Sequence, residues 1–163
     1  MTEALKRRAA DLRDALLVAV RDLDRLATGV EVARGRVTAS SAQLELYGGA
    51  ALAHGYYTHL ERVFERIARD LNSAPLDGPD WHRRLLESMT LERPGVRPAV
   101  VPSDLEAPLD ELLRFRHLFR NLYVLDLEGE RIVAILARIA NAHPSVRKAL
   151  DDFRTFLERL MLA

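Results

Sequence analysis

The sequence predicts an all-α protein, an antiparallel bundle of five or six helices. Three observations carry that prediction. Apolar residues recur at helical spacing along nearly the whole chain, turn residues divide it into helix-length pieces, and no alternating pattern is long enough to make a convincing strand. The length of 163 residues fits a single domain spanning 1–163, and 48% apolar against 29% charged residues is enough to build a packed core.

The first helix is read from Leu5, Leu12, Leu16, Val20, Leu23 and Leu26, spaced at three, four and seven residues. Thr28-Gly29 is its predicted stop, because glycine supplies the left-handed residue that closes many helices. Residues 30–39 are short and β-branched and receive no assignment. Ser40-Ser41-Ala42-Gln43 has the form of a capping box and opens a long helix to about Leu71, with Leu60, Val63, Phe64 and Ile67 on one face. Gly48-Gly49-Ala50-Ala51-Leu52-Ala53-His54-Gly55 within it marks either a break or a place where another helix backbone comes close.

Asn72 to Pro79 reads as a loop, with Asp80 as cap for a short helix from Trp81 to about Glu92. Arg93 to Pro102 holds three prolines and a glycine and is an extended connector. Ser103-Asp104-Leu105-Glu106 is a second capping box, and a strong helix runs from Glu106 to about Val124. Helices over Glu128–Ala140 and Pro144–Leu162 complete the chain, the last opened by its proline.

Composition narrows function. Lys+Arg and Asp+Glu balance at 24 each, which disfavours a globally basic nucleic-acid binder while leaving room for a local basic patch. There is no cysteine, so thiol chemistry and disulfides are excluded, in keeping with a cytoplasmic setting. No stretch is long enough to span a bilayer, and MTEALKRRAADLRD lacks the apolar core of a signal peptide. His54 and His59 lie five apart rather than four and do not share one helical face, and no glycine-rich phosphate loop is present. Neither a metal nor another cofactor is predicted. His54, with Tyr56 and Tyr57, reads as a polar cluster at the rim of the core.

The chemistry concentrates in Leu112-Leu113-Arg114-Phe115-Arg116-His117-Leu118-Phe119-Arg120-Asn121-Leu122-Tyr123. Leu112, Phe115, Leu118, Phe119 and Leu122 fall within about 120° of arc and form the predicted buried stripe. Arg116, Arg120 and Tyr123 share a second face; Arg114, His117 and Asn121 share a third. No acid occurs between Leu112 and Leu125. Such a half-cylinder suits a phosphodiester, because the planar guanidinium fork matches phosphate oxygens and stabilises charge developing at phosphorus. The simpler alternative is a solvated face whose arginines pair with neighbouring acids.

The string RFRHLFRNLY resembles the signature of HEPN-domain proteins of the HepT-like toxin type: an arginine, four to six intervening residues, a histidine, one further residue and a tyrosine. The arginine position is Arg116, the histidine position is occupied by Asn121, and the tyrosine position is Tyr123. The resemblance extends to His54-Gly55-Tyr56-Tyr57-Thr58-His59-Leu60-Glu61-Arg62-Val63-Phe64-Glu65-Arg66-Ile67-Ala68, to Gly78-Pro79-Asp80-Trp81-His82, and to Glu92-Arg93-Pro94-Gly95-Val96-Arg97-Pro98.

The resemblance implies a HEPN-like helical homodimer, paired with a nucleotidyltransferase antitoxin. The activity it implies is that of a metal-independent endoribonuclease toxin, acting on tRNA or other RNA. Its site would be composite across the dimer, with the 2′-hydroxyl attacking phosphorus. Arg116 would bind the scissile phosphate, Arg120 and Arg114 would hold substrate, and Tyr123 would be a possible AMPylation site. Asn121 departs from the pattern, because an amide cannot act as a general acid or base near neutrality. His117 on the same face is one replacement, an arginine-only electrostatic site another. A third outcome is a weakened or inactive module that binds a nucleotidyltransferase or another protein.

Overall fold

The computed structural model describes residues 3–72, 77–121 and 126–162. Five α-helices account for most of them: α1 (Glu3–Arg34), α2 (Gln43–Ile67), α3 (Trp81–Thr90), α4 (Glu106–Arg120) and α5 (Gly129–Leu162). A π-helical turn, Ala68–Asn72, extends α2, and a 3₁₀ turn, Ser103–Leu105, leads into α4. The all-α bundle expected from the periodicity is the observed architecture. Among the described residues the only extended pairing is an isolated bridge between Arg93 and Arg97.

The two longest helices, α1 and α5, lie against each other along their length, and α2 crosses both. Leu12, Leu16, Val20 and Leu23 of α1 meet Ile135, Leu136, Ile139, Val146 and Leu150 of α5 in one continuous core. The helix predicted to stop at Thr28-Gly29 does not stop there. Val30 and Ala33 are buried, and a methyl group at Gly29 would come within 3.0 Å of the Leu52 side chain, so this glycine serves a close helix contact. The unassigned stretch after it is helix as far as Arg34 and turn beyond.

The predicted break at Pro144 is likewise absent, and the two C-terminal helices are one. Proline inside a helix costs about 3 kcal/mol or more. Burial of Ala142 and Val146 on either side offsets this, as does a tether linking three helices. In the tether, Tyr56 Oη donates to His143 Nδ1 (3.0 Å), and His143 Nε2 donates to Asp24 Oδ1 (3.0 Å). Arg147 closes on the same carboxylate at 3.1 Å. Burial, with Asp24 adding to it, holds the Tyr56 phenol far above its ordinary range, so it stays a neutral donor.

Neither predicted capping box forms, and Asp80 makes no side-chain cap bond. Ser41 Oγ accepts from the Thr38 N–H instead. Gln43 Nε2 donates to the Leu127 carbonyl (3.0 Å) while its Oε1 accepts the Leu127 N–H (2.9 Å). That two-way clamp fixes the chain just ahead of α5. Glu106 accepts from Thr90 Oγ1 rather than reaching back to Ser103.

The connector is held by Arg97, only 3% exposed, which donates to the carbonyls of Ser88, Leu91 and Pro98. Burial, with Arg93 next, lowers its guanidinium to about 10, which leaves it charged at neutral pH beside the negative end of α3.

The small-residue run in α2 is a close approach and not a break. A Cβ on Gly49 would lie 3.0 Å from Ile132 and 3.3 Å from Leu136 of α5. At the start of α5, a Cβ on the buried Gly129 would run into the Ala39 backbone, whereas one on the exposed Gly48 would meet open space. Gly129→Ala is therefore expected to cost about 2 kcal/mol or more through overpacking against a backbone that cannot rotate away. Gly48→Ala should add about 0.5–1 kcal/mol by helix propensity. Urea unfolding midpoints of the two variants check both signs.

Candidate functional site

The site is built where α4 crosses α2 in the antiparallel sense. On α2, Tyr47, His54, Thr58 and Glu61 recur at seven, four and three residues and so line one face. On α4, Arg116 and Phe119 turn towards that face.

Glu61 is the centre. It is 2% exposed, and with Thr90 and Arg97 it makes up the buried polar and charged residues among those described. Its Oε2 takes Arg116 Nη2 at 2.9 Å and its Oε1 takes His82 Nδ1 at 2.6 Å. Arg116 Nε donates to Thr58 Oγ1 (3.2 Å), so α2 holds the guanidinium at two points. The Arg116 side chain is 12% exposed and that of His82 24%, so neither is sealed off from solvent as Glu61 is. Trp81 stacks on the His82 ring with centroids 3.6 Å apart. Tyr57 is buried beside them, and burial, then the Glu61 charge, push its phenol far above the ordinary range.

One turn further along the seam, the His54 ring tilts against Phe119 at 5.3 Å, and Tyr47 meets the same ring at 5.2 Å. The His54 pKa is lowered, first by burial, then by Arg116 and Arg120. Its imidazole therefore favours the neutral form in the upper part of its ordinary titration range.

The structure separates the residues singled out on α4. Arg116 faces inward to Glu61. Arg120 and His117 are exposed. Arg114, also exposed, pairs with Asp110 one turn back at 2.9 Å, and Arg83 of α3 reaches the same carboxylate at 3.0 Å. Asn121 follows the last turn of α4, where its amide donates to the His117 carbonyl (2.8 Å). The predicted apolar stripe holds at Leu112 and Phe115. It loosens at Phe119, which is half-buried, and at Leu118, which is 36% exposed, because the end of α4 projects past the core. Tyr123 and Leu122 lie outside the described residues.

Sequence reasoning passed over Glu61, Thr58 and His82. One signal was there to find: Glu61 has Tyr57 four residues before it and Phe64 three after, both fully buried, which places a carboxylate on an aromatic face. Among the described residues no three His, Asp or Glu side chains gather as a metal would require. No helix of the described residues is long and apolar enough to cross a membrane.

A family model described as HepT-like protein matches residues 49–157, which takes in α3, α4 and most of α2 and α5. The chain belongs to the HepT-like protein family, in agreement with its HEPN-like all-α fold and with a toxin–antitoxin context. Neither the curated proteins nor the solved structures give a match.

The lowered His54 pKa carries a sign. The unfolded chain binds a proton near 6.5 that the folded chain takes up only at lower pH. This contribution to stability is complete above 6.5 and is lost as pH falls below it. His54→Gln is expected to flatten the decline in urea midpoint between pH 7.5 and pH 5; parallel declines in both proteins would contradict the assignment.

Proposed function

We propose that this chain is the toxin of a toxin–antitoxin pair, a metal-independent endoribonuclease acting on tRNA or another cellular RNA as a homodimer. The observation that carries the reading is the half-buried guanidinium of Arg116, oriented by Glu61 and Thr58 on a family-signature position with Arg120 one turn away. A guanidinium held in this way meets a phosphate without first losing rotamer freedom, so its hydrogen bonds act on charge developing at phosphorus. Arg120 and Arg114 supply further cationic contacts to the RNA backbone, with His117 and Asn121 at the exposed end of α4. Residues 1–163 act as one HepT-like unit in the cytoplasm.

Dimerisation is supported by apolar surface at the same end of the seam. Leu44 is 83% exposed, Tyr47 43% and Leu118 36%, with Tyr47 packed on Phe119 beside Arg120. A second copy seated there would bring two signature helices together and cover these residues. A nucleotidyltransferase antitoxin is the proposed partner, with Tyr123 as its AMP acceptor.

A second reading has its own support. The Glu61 carboxylate compensates the Arg116 charge, and the Asn121 amide is engaged by its own helix, which suits a module that binds the nucleotidyltransferase without cutting RNA.

A metal-free assay on total tRNA, with wild type, Arg116→Gln and Asn121→His, separates the two. The ribonuclease reading expects discrete fragments ending in 2′,3′-cyclic phosphate from the wild type and their loss in Arg116→Gln. Cleavage by Asn121→His alone would identify a weakened relative, and cleavage by none of the three would favour the binding module. Mass measurement at micromolar concentration is expected to give a dimer.

A further inference from the structure

A signature lacking its histidine needs another group that exchanges a proton near neutral pH, and two imidazoles border the seam. The His54 ring tilts against Phe119, about two turns of α2 from Glu61. His82 is bound directly to the carboxylate that holds Arg116. We propose that His82 is the general base of this ribonuclease site, with Glu61 as the positioning residue that orients it and Arg116 together. The inference rests on the ribonuclease reading above.

The geometry assigns the roles. His82 donates Nδ1–H to Glu61 Oε1 at 2.6 Å, which leaves Nε2 as the proton-accepting atom. A carboxylate behind the imidazole fixes its tautomer and ring orientation and stabilises the imidazolium that forms when a proton is taken up. Trp81 stacked on the ring limits its rotation. Imidazole and guanidinium therefore flank a single buried carboxylate, and both side chains keep some solvent exposure.

A phosphodiester hydrogen-bonded to Arg116 would have its ribose near the imidazole. His82 Nε2 takes the 2′-hydroxyl proton as the 2′-oxygen bonds to phosphorus. The P–O5′ bond breaks with its electron pair on O5′, which takes a proton from water. The hydroxide so formed recovers the proton held by His82. The products are a 2′,3′-cyclic phosphate and a free 5′-hydroxyl, with no water consumed and no change of oxidation state.

Three helices contribute charge near His82. Glu61 of α2 faces Nδ1, Arg116 of α4 lies beyond that carboxylate, and the neighbouring Arg83 turns away to Asp110.

The test is tRNA cleavage by wild type, His82→Asn, His82→Gly and Arg116→Gln, each checked by circular dichroism and mass. Asparagine keeps an N–H donor where Nδ1 stands but cannot carry a proton. His82→Asn is therefore expected to stay folded and to lose about 10²- to 10⁴-fold in kcat with KM within about threefold. Added imidazole should restore part of the His82→Gly rate. Wild-type kcat in His82→Asn, with Arg116→Gln inactive, would overturn the inference and leave the ribonuclease reading intact. Absence of cleavage by the wild type would overturn the reading and the inference with it.

Discussion

A carboxylate removed from water must be paired, and in this protein that requirement falls on Glu61. Leaving a charge of this kind without partners costs several kcal/mol, far more than an exposed ion pair contributes. Arg116 and His82 are the partners, drawn from α4 and α3 onto the middle of α2. Where α2 and α4 cross, this side chain and the aromatic residues around it both link the two helices. The same residue that demands pairing also sets the direction of the signature arginine.

The opposite face of α2 solves a different problem. Gly49 lets Ile132 and Leu136 of α5 approach closely, while Tyr56 ties α2 through His143 to Asp24 of α1. Helix α2 is thus gripped on its apolar side by α1 and α5 and offers its polar seam to α3 and α4. A rigid support of this kind lets half-buried charged groups keep one orientation, the condition for electrostatic stabilisation without reorganisation. The apolar residues Leu44, Tyr47 and Leu118 at the end of the seam extend it towards a surface that a second molecule can cover.

Fold class was legible because periodicity over many turns survives local exceptions. The exceptions themselves were not. Gly29 and Pro144 carry the residue types that end helices, yet neither ends one here, since buried neighbours on both sides favour continuation. Ser40 and Ser103 had the right spacing for capping boxes, but Gln43 and Glu106 found partners distant in the sequence at Leu127 and Thr90. The site was half legible. Arg116 stood out within an acid-free string, whereas Glu61 and His82 come from two other elements, and no local pattern pairs residues 21 positions apart. Burial of an acid is a tertiary fact, hinted at only by Tyr57 and Phe64 around it.

The central claim is that Glu61 couples energetically to Arg116 and so orients it. A double-mutant cycle on unfolding free energy, using Glu61→Gln and Arg116→Gln singly and together, tests this most directly. A coupling energy above about 1.5 kcal/mol is the predicted result, near the middle of the range for residues in direct contact. A value within about 0.3 kcal/mol of zero would mean that the two groups act independently and that the guanidinium is not held by the carboxylate.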